Sequence, residues 1–267
     1  MRYFPTVCPR KNICADEYTL RVRPRFHVPG LTVTAERVEL PEDEAEHLVR
    51  VLRLGVGDEV DVFDGCGGLW RAEVVHAGKK SAAVRLIAPG APARELGVQI
   101  SLVVSVLKGD KMDDVVRDAV MLGVTRIRPM ISERSEISLS AMARSNRIAR
   151  WQRIAVSSAK QCGRAVVPEI YEAAPLDWYW TEKHAGARIM CIEPSAALGE
   201  LVGVRSVSRP VAADVIIGPE GGWAVPEVAA AHDSGAILMS LGGRTLRADA
   251  VPIVALTALL TTWGELK

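Results

Sequence analysis

From Arg23 onward, apolar and polar positions alternate with the period of a half-buried strand. Phe26 and Val28 precede Pro29-Gly30, and Val33, Val38 and Leu40 follow as further short strands. A proline and acids at 41–44 then open a segment with Leu48, Val51 and Leu52 at helical spacing and Arg50 and Arg53 toward its end. This predicts one short helix over 41–53, charged as the helix dipole favours. Gly55-Val56-Gly57-Asp58 turns into the strand Glu59–Phe63, and 64–68 turn the chain back. Trp70, Ala72 and Val74, then Ala82, Val84 and Leu86, complete a meander. Residues 23–90 therefore read as a small β-barrel with one helix, while residues 1–22 carry no clean period and form an N-terminal extension of unknown role.

The pattern changes at Pro89-Gly90-Ala91-Pro92-Ala93-Arg94, which marks a domain boundary. Beyond it, Val98–Val106 is almost continuously apolar and β-branched, as in a strand buried on both faces of a parallel sheet. Lys108-Gly109-Asp110-Lys111 interrupts it. Met112, Val115, Val116, Ala119, Val120 and Leu122 then share a helical stripe, Gly123 ends the helix, and Val124–Ile131 returns to the sheet as a β-α-β unit. After the polar loop Ser132–Ser135, a long helix carries Arg144, Arg147, Arg150 and Arg153 on a slowly drifting ridge toward Lys160, Gln161 and Arg164. Arg188–Pro194 is another short strand and loop. Val251–Leu266 is apolar on nearly all faces, as in a helix clamped against the sheet or against a partner subunit.

Two further apolar runs empty into glycine. Val215-Ile216-Ile217 ends in Gly218-Pro219-Glu220-Gly221-Gly222, and 236–241 ends in Gly242-Gly243-Arg244-Thr245-Leu246-Arg247-Ala248-Asp249-Ala250. Glycine lets the backbone approach a ligand closely, and in open α/β sheets ligands bind beyond the carboxyl ends of strands. Two such loops on consecutive strands point to a ligand site.

Composition narrows the class without naming a partner. The chain has 267 residues, enough for two domains, and 33 basic against 32 acidic side chains, so net charge says nothing about a polyanion. Its five scattered cysteines fit a reduced, cytoplasmic protein with neither a disulfide framework nor a metal site. No signal-peptide core or membrane-spanning run is present. The absence of acids between Arg144 and Arg164 suits a phosphate-binding face, and a solvated helix face is the other reading. The barrel cations Arg50, Arg53, Arg71, Lys79, Lys80 and Arg85 stand open to the same two readings.

The chain resembles the RsmE-type methyltransferases of the SPOUT superfamily through motifs in the family order. These run from Val51-Leu52-Arg53 with Gly57-Asp58 and Phe63-Asp64-Gly65, through Lys108–Met112, Leu122-Gly123-Val124 and Ser132–Ser135. They continue through Arg150–Ala155, Gln161–Arg164 and Val167-Pro168 to Gly218–Gly222 and Leu241-Gly242 with Arg244 and Leu246-Arg247. The resemblance implies a PUA-like N-terminal β-barrel over 23–90 and an α/β methyltransferase domain over 98–267 folded as a trefoil knot. It implies a homodimer using S-adenosylmethionine to methylate N3 of a uridine in 16S ribosomal RNA of the small ribosomal subunit. A SPOUT enzyme for another RNA nucleotide, or a lapsed RNA-binding assembly protein, are the alternatives. No glycine fingerprint of the dinucleotide type follows an early strand, which fits the knotted class.

On this reading the cofactor is held by Glu193, Pro194, Gly218, Pro219, Glu220, Gly221, Gly222, Leu241, Gly242, Gly243 and Leu246. Arg244 and Arg247, with Arg134, stabilise the substrate anion, and Asp249 or Glu220 is the candidate base. RNA contacts are expected from Arg53, Arg147, Arg150, Arg153 and Arg164. The chain departs from the family at Ala248-Asp249-Ala250, where Thr-Glu-Thr is usual, and at Gly243, Thr245 and Val120-Met121.

Overall fold

A computed structural model describes residues 23–196 and 201–266, and the extension at 1–22 lies outside the described residues. The first unit contains β1 (Arg25–His27), β2 (Val38–Glu39), α1 (Glu42–Glu46), β3 (Glu59–Phe63), β4 (Leu69–Ala77) and β5 (Ala82–Pro89). Its strands form one sheet ordered β1-β3-β4-β5-β2, parallel only between β1 and β3. Alternation places Val60, Val62, Ala72 and Val74 inward, where they join Phe26, Leu48 and Val84 in a core separate from that of the second unit. Register shifts after Arg71 and Val74 bend β4 around it.

Two local expectations fail in this unit. Val33 lies in a turn closed by the Ala35 N–H on the Thr32 carbonyl and is exposed, so the apolar residues of 31–37 build no strand. The helix expected over 41–53 stays α-helical only to Glu46 and then widens into a π-turn over His47–Val51. That wider turn keeps Leu48 in the core but carries Val51 and Leu52 to the surface, because side chains three residues apart no longer share a face.

The second unit runs β6 (Gln99–Ser105), α2 (Lys111–Met121), β7 (Arg126–Ile131), α3 (Leu139–Ala143), α4 (Arg147–Cys162), β8 (Glu169–Ile170) and β9 (Ala174–Pro175). It continues with α5 (Leu176–Thr181), β10 (Ala187–Cys191), β11 (Val202–Gly203), β12 (Ala212–Ile217), α6 (Val225–Asp233), β13 (Ile237–Ser240) and α7 (Val251–Thr262). Its sheet is parallel throughout, ordered β11-β13-β10-β12-β6-β7-β8, with β9 also on β7. Helices cover both faces, which is why β6 and β12 are buried along nearly their whole length.

The long helix expected after Ser135 is two. The Ser145 hydroxyl donates to the Met142 carbonyl and accepts from the Arg147 N–H, which ends α3 and restarts the chain as α4. Arg144 sits at the break, off the ridge formed by Arg147, Arg150 and Arg153. The C-terminal helix α7 buries Ala255, Leu256, Leu259 and Leu260, while Ile253 and Val254 remain exposed. No described helix is long and apolar enough to cross a membrane.

The two units meet along α4. Arg25 donates to the Ala159 and Arg164 carbonyls at its C-terminal end, Lys160 pairs with buried Glu44 at 2.6 Å, and Val166 bridges to Gly65 and Cys66. Cations facing terminal carbonyls complement the dipole of α4.

Candidate active site

A parallel sheet sends all its carboxyl ends to one edge, and there the loops after β10, β12 and β13 converge. They enclose a cavity of about 380 Å³. Glu193 and Pro194 line it from the first loop and Gly218, Pro219, Glu220 and Gly222 from the second. Leu241, Gly242, Arg244, Leu246, Arg247 and Asp249 line it from the third. Gly243 is exposed and stands outside this lining, as does Gly221.

The loops interlock where side chains have no room. Gly222 has φ +69°, a left-handed conformation that favours glycine, and a Cβ there would lie 2.1 Å from Glu193 Oε1, so the carboxylate of the β10 loop would have to swing aside. A Cβ at Gly218 would lie 2.9 Å from the ring of Trp223, whose indole N–H donates to the Cys191 carbonyl at 2.9 Å. Glu227 braces the loop's far end, accepting from the Ala224 N–H at 2.9 Å and the Glu133 N–H at 2.8 Å.

Charged groups ring the mouth. Glu220 Oε1 accepts from the Lys111 ammonium at 2.7 Å and the Lys108 N–H at 3.2 Å. Burial of the Glu220 carboxyl pushes its pKa up, but these donors outweigh it and the net value lies below the ordinary one. Arg247 grips Asp249 with two bonds, at 3.1 and 2.9 Å, and this pairing lowers the Asp249 pKa. Arg244 lines the cavity with no side-chain partner among the described residues. Arg134 is not in the lining: it donates to the Gly221 carbonyl at 3.1 Å and braces the second loop from outside.

The cations expected to meet RNA divide. Arg153 is exposed, and Arg147 is half-buried with Nη1 lacking a protein partner. Arg150 is exposed but paired with Asp113 and, at 3.5 Å, Asp110, acids that arrive from α2 rather than from the arginine segment itself. Arg53 holds a left-handed backbone, φ 55°, at the surface. Arg164 does not belong with them. It is buried, clamps Glu95 through Nε and Nη2, and donates from Nη1 to the Val120 and Val124 carbonyls, so no donor faces a phosphate.

Lys111 and Trp223 line the site although neither is among the residues expected there. Lys111 lies inside the Lys108–Met112 motif, which by itself assigns it no role, and Trp223 directly follows the Gly218–Gly222 motif. Among the described residues no group of three His, Cys, Asp or Glu gathers as for a metal. The cavity instead offers apolar walls from Ile217, Leu246 and Val251, loop backbone where glycines leave it bare, and the Glu193 and Glu220 carboxylates. That donor set fits a nucleoside joined to an amino acid.

Residues 94–260 match the family described as RNA methyltransferase domain, and 40–87 match the RNA methyltransferase PUA domain. The fold and cavity are thus those of an RNA methyltransferase. The chain is 33% identical to the ribosomal RNA small subunit methyltransferase E of Synechocystis over 226 residues, 83% of this chain and 72% of that one. The corresponding enzyme of Neisseria gonorrhoeae, solved bound to S-adenosyl methionine, superposes with a TM-score of 0.79 at 31% identity, over 90% of this chain and 98% of that one. A methyltransferase of Legionella pneumophila solved with SAM bound gives a TM-score of 0.82 at 28% identity and the same coverage. The chain belongs to the ribosomal RNA small subunit methyltransferase E family.

Proposed function

We propose that this enzyme transfers a methyl group from S-adenosylmethionine to N3 of a uridine in 16S ribosomal RNA of the small subunit. The observation that carries the reading is the cavity that the loops after β10, β12 and β13 build together. It lies at the carboxyl edge of the sheet, with glycine backbone and two carboxylates in its lining, in a chain of this family. Glu193, Pro194 and the glycine loops hold the cofactor, which when bound supplies an electrophilic methyl group on a sulfonium. The Glu193 and Glu220 carboxylates in the same lining suit a cationic group.

The chain's own residues prepare the acceptor. Arg244 and Arg247 at the mouth stabilise the charge that collects on the uracil oxygens when N3 loses its proton. Glu220 and Asp249 are both engaged by cations and held below their ordinary pKa, which makes each a poor base near neutrality. The N3 proton therefore leaves to solvent. Arg134 acts through the backbone of the Gly221 loop.

The finer architecture belongs to the same proposal. The barrel over 23–90 and the ridge of Arg147, Arg150 and Arg153, with Arg53, receive RNA; the domain over 98–267 is a trefoil knot. Two copies form a homodimer through the exposed face of α7. The test is transfer of labelled methyl from S-adenosylmethionine to small ribosomal subunits, with the product nucleotide mapped. A labelled N3-methyluridine is expected; intact cofactor binding with no label in RNA, or label on another base, overturns the uridine assignment.

A further inference from the structure

Three cations and three carboxylates line the cavity, and among the cations Lys111 is the one whose place in the fold its ion pair does not explain. It is the first residue of α2, where the dipole's positive end disfavours a cation. Asp113 and Asp114 in the same turn are the residues that position prefers. Its bond to Glu220 is a poor reason to keep it. The pair is about one third exposed, with side-chain accessibilities of 34% and 28%, and such pairs add little stability. Glu220 is in any case tied to the β6–α2 connection by the Lys108 N–H. An ammonium has more donors than the one bond to Glu220 uses, and no other protein acceptor takes them among the described residues. The side chain lines the cavity together with Arg244, Arg247 and Asp249.

We propose that Lys111 is a catalytic residue, its ammonium donating to a carbonyl oxygen of the target uracil as N3 becomes anionic. The proposal rests on the uridine reading of the site. In the step, the N3–H bond breaks and the proton passes to solvent. The N3 electron pair then forms the bond to the methyl carbon, while the sulfur–carbon bond breaks and its pair remains on sulfur as a neutral thioether. Negative charge on the ring oxygens peaks before the new bond forms, and Lys111 meets it. The other groups facing that end of the cavity are Glu220 from the β12 loop, Arg244, Arg247 and Asp249 from the β13 loop, and Glu193 from the β10 loop. Glu220 holds the ammonium in place, and the Asp249 carboxylate, which feels the Lys111 charge, is itself occupied by Arg247.

The test compares the full chain with Lys111→Met and Lys111→Arg, measuring methyl transfer to small ribosomal subunits from neutral to alkaline pH and cofactor affinity by calorimetry. For Lys111→Met, kcat should fall on the order of 10²-fold near neutrality. The deficit should shrink as pH rises and the uracil ionises unaided, and cofactor affinity should stay within a few-fold. Lys111→Arg should recover most of the rate. A deficit constant across pH, or a cofactor affinity lost by the same factor, would make Lys111 a loop pin and overturn the proposal, as would no deficit. If the unaltered chain labels no uridine N3, the functional reading fails first. If it does and Lys111→Met titrates in parallel with it, Lys111 alone is excluded.

Discussion

Gly222 shows how little freedom the loops around the cavity have. Its left-handed φ and the 2.1 Å approach of a would-be Cβ to Glu193 Oε1 mean that Gly222→Ala must both strain the backbone and turn the Glu193 carboxylate out of its place in the cavity wall. We expect a loss of about 1–2 kcal/mol in stability and at least tenfold in affinity for S-adenosylmethionine, read by thermal melting and calorimetry. Gly242→Ala, also at positive φ but with open space around it, should strain the backbone and affect affinity less. At the same scale, Glu220 binds protons less readily folded than unfolded. Its contribution to stability is therefore present above the ordinary carboxylate pKa and is lost as pH falls through the depressed folded value. Glu220→Gln should flatten the acid limb of a stability-versus-pH curve, and an unchanged limb would mean that the Lys111 and Lys108 bonds do not persist in solution.

Among the elements, α4 and the turn that ends it separate the helix's surface arginines from the buried Arg164 just beyond. Arg164→Leu would leave Glu95 and the Val120 and Val124 carbonyls without their donor, costing about 3–5 kcal/mol by denaturant unfolding. Arg147→Ala with Arg153→Ala should leave stability nearly intact. The double change should weaken binding to ribosomal RNA and reduce its salt dependence by about one unit of slope for each phosphate no longer neutralised. The sequence locates the arginines of α4 and the one that follows it but not their partners, because Glu95 lies 69 residues from Arg164 and Asp113 comes from α2. Spacing along a chain reveals which side chains share a helix face; it carries no information about what another element brings to that face. The break at Ser145 escapes for a related reason, since a hydroxyl satisfying the Met142 carbonyl leaves no mark on apolar periodicity. β6 and β12 are legible because burial on both faces makes them almost continuously apolar, whereas β8, β9 and β11 are two residues each and too short to show a pattern. The loops around the cavity are legible because glycine is concentrated in them, Gly218 against the Trp223 ring and Gly222 at a left-handed φ. Lys111 and Trp223 line the same cavity through ordinary residue types, and only the fold gathers them.

For the whole molecule, the question is what covers α7. Its inner face packs under the sheet through Ala255, Leu256, Leu259 and Leu260, yet Ile253 and Val254, 40% and 38% exposed, sit on the turn that leaves the third cofactor loop. Val251, in the same first turn, lines the cavity itself. A second copy docked on this face would bury apolar surface worth roughly 25 cal/mol for each Å² removed from water. It would also hold the cavity mouth from outside, so association and catalysis would be coupled through one helix end. Ile253→Glu with Val254→Lys keeps the inner face intact and places charges where the partner would sit. The variant should stay folded, sediment as a monomer where the unaltered chain sediments as a dimer, and lose most methyl transfer. A folded variant that still sediments as a dimer would place the interface elsewhere, and a monomer with full activity would show that the site is complete within one chain.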